Sequence, residues 1–198
     1  DVTVALVRAL LADQCPDLAD LDIAEVATGW DNVMFRLGPD LGVRVPRRQA
    51  AAELLEAEQR WLSVFAGSLP KPVPVPVRSG TPARGYPWSW SVVPWFEGRP
   101  FAPNPPRDLD AAAQQLGQFV AALQRPVDGL PLNPFRGRPL RDLDERVRVR
   151  LAAERPGFDV AAATKVWDDA LAAPDWDGPA MLLHGDLHPL NVVVDDEG

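Results

Sequence analysis

Leu183-His184-Gly185-Asp186-Leu187-His188-Pro189-Leu190-Asn191-Val192 contains both histidines of a 198-residue chain. Apolar runs flank it, Met181-Leu182-Leu183 before and Val192-Val193-Val194 after. Two short strands around a polar loop aim several side chains out of one rigid edge, an arrangement suited to catalytic groups. Within the loop, Asp186 offers a carboxylate that can orient a hydroxyl and accept its proton. Asn191 offers an uncharged oxygen suited to a hard cation such as Mg²⁺. His184, Asp186 and His188 alternate, so on a strand they would share a face and could ligate Zn²⁺ for a metal-dependent hydrolase. Gly185 and Pro189 favour a loop instead, and the chain has no further histidine to complete such a site.

The spacing of Asp186 and Asn191, D-x-x-x-x-N, is that of a protein-kinase catalytic loop. Set in H-G-D-x-H-P-x-N between apolar strands, it resembles the H-G-D-x-H-x-x-N motif of the aminoglycoside phosphotransferase family and its choline-kinase-like relatives. The resemblance implies a bilobal kinase-like fold, ATP or GTP as donor, Mg²⁺, and a small-molecule hydroxyl as acceptor. It implies Asp186 as catalytic base, Asn191 as a magnesium ligand and His184 as a brace for the loop, and it assigns no role to His188. Leu190 stands where the family often has Gly. The second metal-binding Asp is expected beyond Gly198. Asp195 and Asp196 lie in a turn and are poor substitutes for it.

Working back along the chain, Gly29-Trp30-Asp31-Asn32 matches the family's short G-x-x-N phosphate loop, which makes Gly29 and Asn32 nucleotide-binding candidates. As a bare pattern it is also an ordinary hairpin turn. Gly42-Val43-Arg44-Val45-Pro46 places Arg44 where the family carries a phosphate-binding lysine, and Arg differs from Lys in reach and geometry. Glu58 falls on the apolar stripe of its helix, between Leu55 and Leu62. A carboxylate there is costly unless paired, and a kinase fold pairs the third-strand cation with the glutamate of the next helix. The expected pair is Arg44 with Glu58. Val92-Val93-Pro94-Trp95-Phe96-Glu97-Gly98 resembles the hinge that meets the nucleotide base. Trp95 and Phe96 are the candidates there, since Pro94 has no N–H to lend.

The periodicities fit that order of elements. A helix is expected over residues 2–14, with Val4, Val7 and Leu11 on one face, ended by Cys15-Pro16. Strands are expected around Ile23 and Val26, over Val33, Phe35 and Leu37, and at Val43 to Val45, with a turn at Gly38-Pro39-Asp40. A helix follows over 49–66, carrying Ala51, Leu55, Leu62 and Phe65. Val73, Val75 and Val77 alternate with prolines as an extended edge segment, and residues 88–95 read as a strand. Three helices are then expected. Asp108 caps the first, with Leu109, Ala112, Ala113, Leu116, Val120 and Leu123. Leu140, Leu143, Val147 and Leu151 mark the second, and Val166, Trp167, Ala170 and Leu171 the third. The fold class is α+β, with an N-terminal lobe at 1–95 (a β-meander with one helix) and a mainly helical, incomplete lobe at 96–198. Both termini read as cut.

Composition bounds the rest. Hydrophobic residues make up 46% and charged residues 24%, the balance of a soluble globular protein. No run of about 18 apolar residues exists to span a membrane as a helix, and the first residues do not form a signal peptide. Cys15 is the lone cysteine, which suits a reducing cytoplasm. A net charge of −8 argues mildly against a nucleic-acid partner and mildly favours a cationic acceptor, and it equally suits a surface that keeps the chain in solution. Arg44 in place of lysine keeps a second reading open, a degenerate kinase fold that binds nucleotide without turnover.

Overall fold

The computed structural model describes residues 1–129, 133, 136–153 and 157–195. Asp196, one of the two adjacent acids near the C-terminus, lies outside them. The described chain divides into two compact units: residues 1–122 with 188–198, and residues 123–187.

The first unit is built on a five-stranded antiparallel sheet in the order β1-β2-β3-β5-β4. Its strands are β1 (Ile23–Thr28), β2 (Asn32–Leu37), β3 (Leu41–Pro46), β4 (Arg78–Gly80) and β5 (Trp90–Pro94). Alternation along the strands gives the sheet two different faces. Val33, Phe35 and Leu37 of β2, Val43 and Val45 of β3, and Trp90 and Val92 of β5 point to one side, where they bury Val7, Leu10 and Leu11 of α1 (Val4–Gln14). Helix α1 starts because the Thr3 hydroxyl accepts the Leu6 N–H at 3.2 Å, and it stops at Cys15-Pro16 as expected. The opposite face carries Met34, Arg44 and Ser91 in cross-strand register. Helix α2 (Gln49–Ala66) packs on β3 and β5, and Gln59 Nε2 donates to Ser91 Oγ at 2.9 Å and to the Trp90 carbonyl at 2.8 Å.

Two edges differ from the expectation. Val73 to Pro76 take no place in the ladder. Pairing begins only where the alternating prolines stop, with the Val77 N–H on the Val92 carbonyl at 2.8 Å and β4 beyond it, because proline has no N–H to pair. The strand expected from residue 88 begins at Trp90, and Trp88 instead stacks edge-on against Tyr86 with centroids 5.7 Å apart.

Strand β6 (Arg99–Pro100) pairs antiparallel with β7 (Val193–Val194), which joins the segment after residue 98 to the strand that leaves the histidine-containing loop. The approach is close: Gly98 has φ +137°, and a Cβ there would lie 2.4 Å from the Val194 carbonyl oxygen. Helix α3 (Leu109–Leu123) is capped by Asp108, whose Oδ1 accepts the Ala111 N–H at 2.9 Å. Its buried positions are Phe119 and Leu123, an i, i+4 pair, whereas Leu109 and Leu116 are exposed. Leu123 is buried as the stripe requires, and Phe119, outside the expected stripe, is the other buried position.

In the second unit, α4 (Asp144–Ala152) packs on α5 (Val160–Leu171). Trp167 Nε1–H donates to Asp144 Oδ1 at 2.7 Å, and Arg148 bridges Asp144 and Asp168 at 2.8 Å each. Val166, expected on the apolar stripe, is exposed. The expected apolar strand at Met181 reduces to one bridge with Pro126. It is flanked by Leu182 N–H on Arg125 O and Val127 N–H on Ala180 O, both at 3.0 Å. Among the described residues no helix is long and apolar enough to cross a membrane.

Candidate active site

Arg44 leaves the middle of β3 on the α2 side of the sheet. Its Nη1 meets Glu58 Oε2 at 2.5 Å, with 25% and 35% of the two side chains exposed. The carboxylate on the apolar stripe of α2 is thus compensated by the cation expected to compensate it.

The β1–β2 loop is more constrained than a plain hairpin turn. Asn32 sits opposite Pro46 in the ladder, so residues 47 and 48 run beside residues 29 to 31. The Gly29 N–H bonds the Asn32 carbonyl at 2.9 Å, and the Arg47 N–H bonds the Asp31 carbonyl at 2.8 Å. Arg47 Nη1 donates to Gly29 O at 2.7 Å, and Arg48 Nε donates to Asp31 Oδ1 at 2.5 Å. Trp30 at the tip is 84% exposed. Asn32 Oδ1 is buried and accepts no hydrogen bond among the described residues.

At the expected hinge, the Trp95 N–H is taken by the Asp40 carbonyl at 2.8 Å. The Trp95 ring lies over Gly42 and carries the Arg36 guanidinium 4.5 Å from its centroid. Arg36 also reaches Glu97 Oε1 at 2.5 Å. The structure therefore ties this segment to the β2–β3 turn through Arg36, and the Trp95 amide has no hydrogen to spare for a base. Phe96 is half-buried beside it.

In the second unit, Asp186 is exposed on its loop. Its N–H donates to His184 Nδ1 at 3.3 Å, so His184 does brace the backbone there. Gly185, at φ +79°, turns its carbonyl to Arg136, whose Nε donates to it at 2.7 Å. Arg136 Nη2 stands 3.5 Å from Asp186 Oδ1. In the first unit, His188 caps a single 3₁₀ turn, Pro189–Asn191. Its Nδ1 accepts the Leu190 N–H at 3.2 Å, and its carbonyl accepts the Asn191 N–H at 2.8 Å. Asn191 is exposed. Among the described residues no three His, Cys, Asp or Glu side chains converge on a common point. The zinc arrangement of His184, Asp186 and His188 is accordingly not formed among the described residues.

A family model described as the phosphotransferase enzyme family matches residues 22–198. The chain belongs to that family. Among solved structures, the phosphotransferase chain is similar to the GDP complex of wild-type aminoglycoside 2'-phosphotransferase-IIIa. Identity is 21% and the TM-score 0.80, over 100% of this chain and 69% of the other. It is also similar to macrolide 2'-phosphotransferase MphH from Brachybacterium faecium, at 25% identity and TM-score 0.59, over 98% and 68%. Among curated proteins nothing matches it. The kinase-like fold expected from the motifs is the fold observed.

The contacts of Arg36, Arg47, Arg48 and His188 in the first unit, and of Arg136 in the second, were not legible in the sequence. Only His188 left a local signal, a capping side chain directly before a proline at the first position of a turn. Each arginine meets its partner segment within its own unit, through a long side chain from another element.

Proposed function

We propose that this phosphotransferase moves the γ-phosphoryl group of ATP or GTP to a hydroxyl of a small molecule. The observation that carries the reading is the Arg44–Glu58 ion pair, which fixes a cation at the strand position from which a kinase fold contacts donor phosphates. Arg44 steadies those phosphates. Asp186 orients the acceptor hydroxyl and takes its proton. Gly29 and Asn32 shape the phosphate loop, and Phe96 lies along the base. Asn191 suits Mg²⁺: its amide oxygen is a hard, exposed donor, and magnesium in nucleotide sites keeps waters and phosphate oxygens in place of an all-protein cage. Bound there, the ion would offset phosphate charge. The acceptor class follows the family, amino sugars, amino alcohols, sugars or macrolides, with the acidic total leaning to a cationic one. A cytoplasmic setting, where both nucleotides are made, is part of the reading.

The test is incubation of the full-length gene product with Mg²⁺ and ATP or GTP against a panel of those acceptors, read by mass spectrometry; the 198 residues taken alone should show little or no turnover. A phosphorylated acceptor that disappears in Asp186→Asn supports the reading. Nucleotide binding with no product across the panel favours the degenerate kinase fold suggested by arginine at position 44.

A further inference from the structure

Arg47 and Arg48 leave β3 directly beside the β1–β2 loop, and between them they hold three of its residues. Arg47 grips both ends, with its backbone N–H on Asp31 O and its Nη1 on Gly29 O. Arg48 places both Nε and Nη2 on a single carboxylate oxygen, Asp31 Oδ1. Its guanidinium also lies 6.0 Å from the centroid of Trp30, at the outer limit of a cation–π contact. Arg47 thus gives one guanidinium nitrogen to the loop and Arg48 gives two.

A loop that receives a polyphosphate should not present a carboxylate. A negative charge a few ångströms from phosphate oxygens is repelled, weakly in water and several-fold more strongly near a protein surface. Asp31 is such a carboxylate, in the middle of Gly29-Trp30-Asp31-Asn32, and Arg48 is its counter-ion. We infer that Arg47 and Arg48 are positioning residues that keep the β1–β2 loop in a shape that accepts a nucleoside triphosphate, Arg47 by tying down its backbone and Arg48 by neutralising Asp31. The inference rests on the phosphotransfer reading above. It differs from a direct phosphate contact, in which the arginine would act on the ligand itself and the aspartate would be a bystander.

The experiment is isothermal titration of the protein with Mg²⁺–ATP and Mg²⁺–GTP, comparing the wild type with Arg47→Ala, Arg48→Ala, Arg48→Lys, Asp31→Asn and the double variant Asp31→Asn/Arg48→Ala. Circular dichroism melts serve as the folding control. Arg48→Ala should weaken nucleotide binding about tenfold, and the double variant should recover to within about threefold of the wild type. Arg48→Lys should fall between the two, since lysine keeps the charge and loses the planar fork. Arg47→Ala should weaken binding with little change in melting temperature. Loss of binding in Arg48→Ala that Asp31→Asn does not restore overturns the inference in favour of direct contact. Unchanged binding in both arginine variants overturns it outright while leaving the phosphotransfer reading intact. Absence of binding in the wild type counts against the phosphotransfer reading itself. If Arg48→Ala does not fold, the comparison of Arg48→Lys with the double variant decides by the same criterion.

Discussion

The guanidinium of Arg136 stands 3.5 Å from the carboxylate of Asp186, anchored by a 2.7 Å bond to the carbonyl of Gly185 just before it. The proposed base is therefore held from two sides, by His184 through its backbone N–H and by Arg136 through its side chain. Asp186→Asn is expected to lower turnover by about 10²–10⁴-fold, the usual contribution of a general base. Arg136→Ala should lower kcat by a smaller factor, about tenfold, because the loop loses an anchor but keeps its carboxylate. Neither change should move nucleotide affinity. Steady-state kinetics with a nucleotide titration checks both, and weakened nucleotide binding in either variant would reassign the residue.

For Arg44 and Glu58, both side chains are partly open to water, so the pair contributes little to stability, less than about 1 kcal/mol. Its expected effect is on the ligand. Glu58→Gln leaves Arg44 without an ionic partner to aim it, and the KM for nucleotide should rise about tenfold with the melting point nearly unchanged. A melting point that falls while KM holds would make the pair structural.

Asn191→Ala removes one oxygen from the expected magnesium environment. The Mg²⁺ concentration giving half-maximal activity should rise by roughly tenfold, in line with ligand-shell substitutions. An unchanged requirement would remove Asn191 from that environment.

Two glycines offer a matched stability test. Gly98 has φ +137°, and its added methyl would collide with Val194 O. Gly98→Ala should destabilise by about 2–3 kcal/mol, since both backbone strain and the β6–β7 pairing are affected. Gly117 lies inside α3 with open space around it, and Gly117→Ala should stabilise by about 0.5–1 kcal/mol. Urea melts of the two variants should shift in opposite directions.

The Trp167 indole, with Arg148 beside it, holds the Asp144 carboxyl below the usual carboxylate range. A depressed folded value means that the stabilisation is fully present above the unfolded value, about 3.9, and is lost as pH falls through the folded one. Thermal melts of wild type and Trp167→Phe should differ at pH 7 and converge as the pH falls through the lowered value of the folded carboxyl. A constant difference down that range would show that packing of the ring, and not the charge, is what the indole contributes.

The nucleotide-side framework was largely legible in the sequence because it rests on periodicity and on one forced pairing. Val33, Phe35 and Leu37 alternate cleanly, and a glutamate on an apolar stripe demands a cation. The histidine-containing loop was legible through its spacing. What stayed hidden has a common physical origin. Arg36, Arg48 and Arg136 act through long side chains whose partners are distant in sequence, and nothing local marks their direction. The face of α3 was read in part: Leu123 is buried as expected, Leu109 and Leu116 are exposed, and Phe119 was not on the expected stripe. The edge at Val73 was placed too early because the prolines beside it remove the N–H groups a ladder needs.

The pairing of β6 with β7 also bears on how the protein is made. Arg99 and Pro100 leave the ribosome well before their partners Val193 and Val194, and the whole of residues 123–187 is synthesised in between. At about 5–20 residues per second this interval lasts several seconds or more. The first unit must then wait, one edge unpaired, while a complete second unit emerges. That second unit brings its own two ends together, through the bonds of Arg125 and Val127 with Leu182 and Ala180, and so can close before the first is finished. A nascent chain that ends before residue 193 would leave β6 without its partner strand.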